Sequence, residues 1–186
     1  IFGALGREPP VYAHLPTVMT ESGDGQGEKH VSKMSKRHGA KPVTQYRDEG
    51  FLPDAVVNYL ARLGWSHGDD EIFSREQFLA WFNLDHLGRS AAQFDEAKLR
   101  WVNAQHLKAM DDSALAPLVV EQLTKLGIEA DSRLPRICGL FKDRCDTTVA
   151  LAGWAAAFYQ DVTPSDAERA QYVTHAIGPA LDTLAE

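Results

Sequence analysis

From Pro42 onward the chain is punctuated as a series of helices, and this pattern constrains the fold more than any other feature. Ser, Thr and Asp accept hydrogen bonds from the free N–H groups of a first helical turn. Pro fits that turn without needing a donor, and Gly ends a helix by adopting positive φ. Thr44 can cap a short helix that stops at Gly50. Pro53 suits a first helical residue, and Val56, Val57, Leu60, Ala61 and Leu63 then form an apolar stripe that Gly64 ends. Ser74-Arg75-Glu76-Gln77 has the spacing of a reciprocal capping box and opens a helix with Phe78, Leu79, Trp81 and Phe82. Asp95 can cap the next, in which Leu99, Val102 and His106 recur at helical spacing. Asp112 can cap a helix through Leu126 that Gly127 closes; another is expected over 133–144, and Asp146 can cap one running to about Tyr159. Ser165-Asp166-Ala167-Glu168 is a second capping box, opening a helix to about Ile177, and a final helix follows Gly178-Pro179. The expected fold is mainly α, without internal repeats or heptads.

The first residues read differently. Gly6 is expected to end a helix, Pro9-Pro10 breaks regular structure, and Val11-Tyr12-Ala13-His14-Leu15 alternates as a strand would until Pro16. Residues 20–30 hold three glycines among polar side chains and are expected to form a mobile loop, without the spacing of a P-loop. No apolar run approaches the roughly 18–20 residues needed to span a bilayer, and no signal peptide is visible. The chain begins at Ile1 and is expected to be part of a longer protein. Cys138 and Cys145 match no zinc spacing and fall on one face of a helix; both are expected to be buried structural thiols in a reducing cytosol. Near residue 110 the side chains shorten and alanine becomes frequent, and 111–186 holds 6 basic and 12 acidic residues, which places a domain boundary there.

Charge singles out one segment. Lys33-Met34-Ser35-Lys36-Arg37, followed by His38-Gly39, stands in a chain of formal net charge −7. Residues 29–41 contain Lys29, Lys33, Lys36, Arg37 and Lys41 and no acidic residue, so the rest of the chain carries −12. A positive field focused on one stretch of an acidic chain argues against bulk nucleic-acid binding. Flexible ammonium groups on a loop suit a reaction in which negative charge builds up on phosphates, although by charge alone the run also reads as a solvated surface loop. Other residues carry weaker signals. His67-Gly68-Asp69-Asp70-Glu71 reads as a solvated turn rather than a metal site, and His106 as a packing histidine. Trp65 and Trp101 are expected to anchor the core or a domain junction. Arg62, Arg89, Lys98 and Arg100 are either ordinary surface or contacts to RNA phosphates. His30 and His38 stand beside the lysines and are weaker ligand candidates.

The run KMSKRHGA over 33–40 resembles the KMSKS loop of class I aminoacyl-tRNA synthetases, in the variant of the glutamyl-tRNA synthetase family. The flanks extend the resemblance: ALGREPPVYAHLP over 4–16, YRDEGFLPDAVVNYLARLGWSHGDDEIFSREQF over 46–78 and FDEAKLRWVNAQHL over 94–107 are similar to the family's segments before and after that loop. It is strong to about residue 110. The resemblance implies the end of an α/β nucleotide-binding domain over 1–45, a helical stem-contact region over 46–110, and part of a helical-bundle anticodon-binding region over 111–186. It implies ATP and L-glutamate as substrates, Mg2+ accompanying ATP without a metal site in this chain, and tRNA(Glu) as partner. It also implies a monomer, in the cytoplasm, with no membrane partner. The motif residues Lys33, Met34, Ser35, Lys36 and Arg37 form the expected ATP site. Lys36 is the main phosphate contact and Lys33 the second catalytic lysine; Met34 packs against the body of the fold, and Gly39 supplies a turn. The stretch before the motif is longer and richer in glycine than is usual in the family. The family's HIGH signature and its glutamate-recognising residues do not occur in this sequence, so the chain is not expected to aminoacylate tRNA alone. The alternative is a non-catalytic helical module that binds RNA or protein through a basic loop.

Overall fold

A computed structural model describes residues 1–23, 29–35, 40–160 and 165–172. It begins with a single 3-10 turn, Gly3–Leu5, closed by Gly6 at φ +61°. The expected strand at 11–15 does not form, and Val11, Tyr12 and Leu15 are exposed. Alternation favours a strand only where a neighbour takes up the backbone N–H and C=O groups, and prolines flank this stretch on both sides. The expected loop over 20–30 is corrected in the opposite sense. β1 (Val18–Gly23) and β2 (Lys29–Lys33) are antiparallel, with Met19 opposite Lys33 and Gly23 opposite Lys29. Residues 24–28 between them lie outside the described residues.

After β2 the regular elements of the described residues are helices, apart from one strand. α1 (Val43–Asp48) has Pro42 rather than Thr44 at its N-cap and gives way to Gly50 at φ +87°. α2 (Pro53–Arg62) starts on its proline, as expected. α3 (Arg75–Trp81) carries the capping box: Gln77 N–H donates to Ser74 Oγ, and Ser74 N–H to Gln77 Oε1. β3 (Ala92–Phe94) then pairs in parallel with β1, giving the sheet order β2–β1–β3. A parallel pair requires a crossover, supplied here by α1, α2 and α3. α4 (Glu96–Ala109) is capped by Asp95, as expected. α5 (Asp112–Lys125) is capped by Asp111, one residue before the expected Asp112. α6 (Leu134–Phe141) passes into a 3-10 turn, Lys142–Arg144. α7 (Thr148–Ala156) is capped by Thr147 rather than Asp146. α8 (Asp166–Tyr172) opens on the Ser165–Glu168 box. The expected extension to Ile177 and the final helix lie outside the described residues.

The fully buried face of α2 is Ala55, Asn58 and Tyr59; of the stripe read from its aliphatic residues, Val56 and Leu63 are partly buried against the core and Leu60 is 47% exposed. The polar atoms explain this. Asn58 donates to the Glu71 carbonyl and accepts from Phe73 N–H and from His106 Nε2, and Tyr59 OH accepts from Asp95 N–H. Because Asn58 Oδ1 is an acceptor, His106 carries its proton on Nε2. Burial lowers the pKa of His106 and favours that neutral form.

One hydrophobic core runs from Tyr46 to Ala155 and includes the almost fully buried Leu99, Leu107, Leu115, Leu123, Leu134 and Leu151. Burying each such side chain is worth about 1.5–3 kcal/mol. Cys138 and Cys145 are free and buried, and burial pushes the Cys138 thiol up to about 11. Polar bonds cross the core at defined points. Asn103, 0% exposed, accepts from Leu52 N–H at 2.8 Å and donates to the Asp146 carbonyl at 2.5 Å. The Gly50 carbonyl accepts from Thr148 N–H, and a Cβ on Gly50 would come within 2.7 Å of Val149 N.

A charge network lies over this framework. Lys41 Nζ is 3.0 Å from both Glu49 Oε2 and Glu96 Oε1. Glu96 also meets Arg100 at 3.4 Å, and Arg100 reaches Asp146 at 3.3 Å. Burial alone would lower the pKa of Lys41, but its bonds to Glu49 and Glu96 outweigh this and raise it. Burial would likewise raise the pKa of Glu49, but bonds from Lys41 and Gln45 bring it below the ordinary carboxylate value.

Two stability measurements follow. Asn103→Ala would leave a buried donor and acceptor unpaired, so urea unfolding should show a loss of about 2–4 kcal/mol; an unchanged midpoint would mean that these bonds carry no weight. Glu49 has a depressed folded pKa, so its contribution is present above its unfolded value and is lost as pH falls through the folded one. Glu49→Gln should therefore cost about 1 kcal/mol or less at pH 7, and the difference from the parent should shrink toward pH 3. A difference that stays constant over that range would contradict the charge pairing.

Candidate functional site

β2 delivers the basic segment. Lys33 is the last residue of this strand, opposite Met19, and it is exposed. Met34 N–H donates to the Val18 carbonyl at 2.9 Å, which holds Met34 beside β1, where it lines a cleft. Ser35 is half-buried, and its carbonyl accepts from Ala40 N–H at 3.1 Å. Lys36, Arg37, His38 and Gly39 lie outside the described residues. Of the expected ATP-site residues, Lys33, Met34 and Ser35 are thus placed consecutively at the end of a strand, and the bond to Ala40 brings together the two residues that flank 36–39.

The cleft beside Met34 has a volume of about 740 Å³ and lies between the sheet and the starts of α1 and α4. Thr20, Glu21, Gln93 and Phe94 form its sheet side, and Lys41, Tyr46, Asp95 and Glu96 its helical side. Gln93 Nε2 bonds Glu21 Oε1 at 2.7 Å across β1 and β3. Among the described residues, three carboxylates and one ammonium line this space, and the ammonium is paired with Glu49 and Glu96.

The other residues singled out from the sequence fall into distinct environments. Trp65 is in the core, edge-on to Phe73 and Phe78. Trp101 is not: it is 41% exposed, with Lys98 Nζ 3.9 Å above its ring. Lys98 pairs with Glu71 at 2.7 Å, so it and Arg100 are both already engaged with carboxylates, while Arg89 is exposed. His67 bonds Asp70 at 3.1 Å and stacks on Trp81 at 4.2 Å between centroids. Among the described residues no three His, Cys, Asp or Glu side chains are grouped so as to hold a metal ion. No helix of the described residues is long and apolar enough to cross a membrane. Sequence reasoning passed over Lys41, Glu96 and Asn103. Only the absence of an acid from 29–41 drew attention to Lys41, and that signal counted it with the loop instead of the scaffold.

Comparisons with known proteins agree on one family. Residues 1–101 match the family model described as tRNA synthetases class I (E and Q), catalytic domain. The whole chain is 76% identical to the glutamate–tRNA ligase of Albidiferax ferrireducens and covers 38% of that protein. It is 71% identical, over its full length, to the glutamate–tRNA ligase of Verminephrobacter eiseniae and covers 39% of it. The fold is similar to the crystal structure of a glutamate tRNA ligase from Elizabethkingia meningosepticum in complex with its amino acid. That match has a TM-score of 0.75 and 25% identity and covers 98% of this chain and 39% of the other. The chain thus spans well under half the length of the relatives it matches. With more than half of its residues inside the family model, the chain belongs to the class I tRNA synthetases of the E and Q group.

Proposed function

We propose that this chain is the part of a glutamate–tRNA ligase that brings positive charge to the phosphates of ATP and presents helical surface to tRNA(Glu). The observation that carries this reading is the KMSKRHGA run issuing from the end of β2, in a chain 76% identical over its whole length to a protein of that name. In the first step a carboxylate oxygen of L-glutamate attacks the α-phosphorus of ATP. The bond between the α- and β-phosphates breaks, and negative charge collects on the departing pyrophosphate. A terminal ribose hydroxyl of tRNA(Glu) then attacks the carbonyl of the adenylate, and AMP leaves. Lysine is a compact, mobile charge suited to following the pyrophosphate. Lys36 is assigned the main phosphate contact and Lys33 a second. The hydroxyl and backbone N–H of Ser35 are available for phosphate or ribose oxygens. Met34 holds the segment to the sheet, and Arg37 fixes it or approaches RNA.

Magnesium is proposed to enter with ATP. The proposed division of labour is nucleotide contact over 1–45, contact with the tRNA stem over 46–110, and part of the anticodon-binding region over 111–186. The parent protein is proposed to act as a cytoplasmic monomer. In that complete protein, Lys36→Ala should slow glutamate-dependent ATP–pyrophosphate exchange by about 100–1,000-fold, with little change in glutamate binding. Unchanged exchange, together with salt-dependent tRNA binding by this chain, would favour the non-catalytic RNA-binding module instead.

A further inference from the structure

The basic run contains two kinds of lysine. Lys33 is exposed at the end of β2. Lys41, eight residues on, has a side chain 25% exposed, placed 3.0 Å from each of two carboxylates and 5.6 Å from the centre of the Tyr46 ring. An ammonium shared by two carboxylates has no net charge left to offer a phosphate unless it abandons them. Its partners sit on separate elements, Glu49 just after α1 and Glu96 as the first residue of α4. Lys41 therefore pins its own backbone position to both. The preceding residue, Ala40, donates its N–H to the Ser35 carbonyl. The hold on Lys41 is thus passed, one peptide away, to a residue of the motif itself.

We infer that Lys41 is a positioning residue for adenylate formation: its ion pairs with Glu49 and Glu96 fix Ala40, and through Ala40 fix Ser35, where the segment meets ATP. This rests on the function proposed above. Glu96 is held in turn by Arg100, which reaches Asp146 just before α7. The placement of Ser35 therefore depends on groups drawn from α1, α4 and the approach to α7.

The test is ATP–pyrophosphate exchange by the complete protein carrying Lys41→Met, Lys41→Arg, Glu96→Gln or Lys36→Ala, with thermal unfolding of each variant followed in parallel. Lys41→Met should raise KM for ATP by about tenfold, the equivalent of about 1.4 kcal/mol, and leave KM for glutamate within about twofold. Lys41→Arg, able to engage both carboxylates, should restore KM for ATP. Glu96→Gln should shift KM for ATP in the same direction by a smaller factor, and it serves as the test if Lys41→Met does not fold. Loss of thermal stability with KM for ATP unchanged would reduce Lys41 to a purely structural role and overturn the inference. So would failure of Lys41→Arg to rescue. Exchange that survives Lys36→Ala would instead strike at the functional reading, which separates the two failures.

Discussion

One buried amide sets the geometry on which the helical part depends. The Asn103 side chain has no contact with solvent and is shared between Leu52 N–H, just before α2, and the Asp146 carbonyl, just before α7. Apolar packing tolerates small shifts of one helix against another, but a pair of buried hydrogen bonds does not, because a misplaced partner costs the full desolvation of the group it abandons. The effect spreads along α4. Glu96, Arg100 and Asn103 are spaced i, i+4 and i+7 on that helix and so share one face. Asn103 takes the backbone of Asp146, Arg100 its side chain, and Glu96 reaches back to Lys41. One polar stripe thus joins the end of the basic segment to the start of α7.

Features decided within four residues were legible in the sequence. The capping box at Ser74, the Asp95 cap, the helix start at Pro53 and the box at Ser165 all appear where they were read. Misreadings occurred where a distant partner intervened. Of two adjacent acids, 111 and 112, the one that caps is Asp111, because Asp112 pairs with Lys142 at 2.8 Å. Asp146 yields the capping role to Thr147 because Arg100 and Asn103 occupy it. The buried face of α2 is set by Asn58, whose partners Glu71, Phe73 and His106 lie 13–48 residues away. The hairpin of β1 and β2 was hidden because its strands hold few β-branched residues, and β3 because its partner is more than 70 residues earlier.

The site divides along the same line. The motif over 33–40 is contiguous, so its residue types could be read directly, and Lys33, Met34 and Ser35 stand together at the end of β2. The role of Lys41 could not be read, because it depends on Glu49 and on Glu96, 55 residues away. Counting charge along the chain merged it with the lysines of the motif. The structure pairs it instead with two carboxylates of the helical framework.

The central claim is that these lysines have different tasks, some facing phosphate and one holding the frame. Lysine acetylation of the complete protein, quantified residue by residue by mass spectrometry with and without ATP, tests this most directly. Lys33 and Lys36 should react readily in the free protein and be shielded when ATP is bound, while Lys41 should react poorly in both states. Lysines 33 and 36 unaffected by ATP, or a Lys41 as reactive as Lys33, would contradict the account.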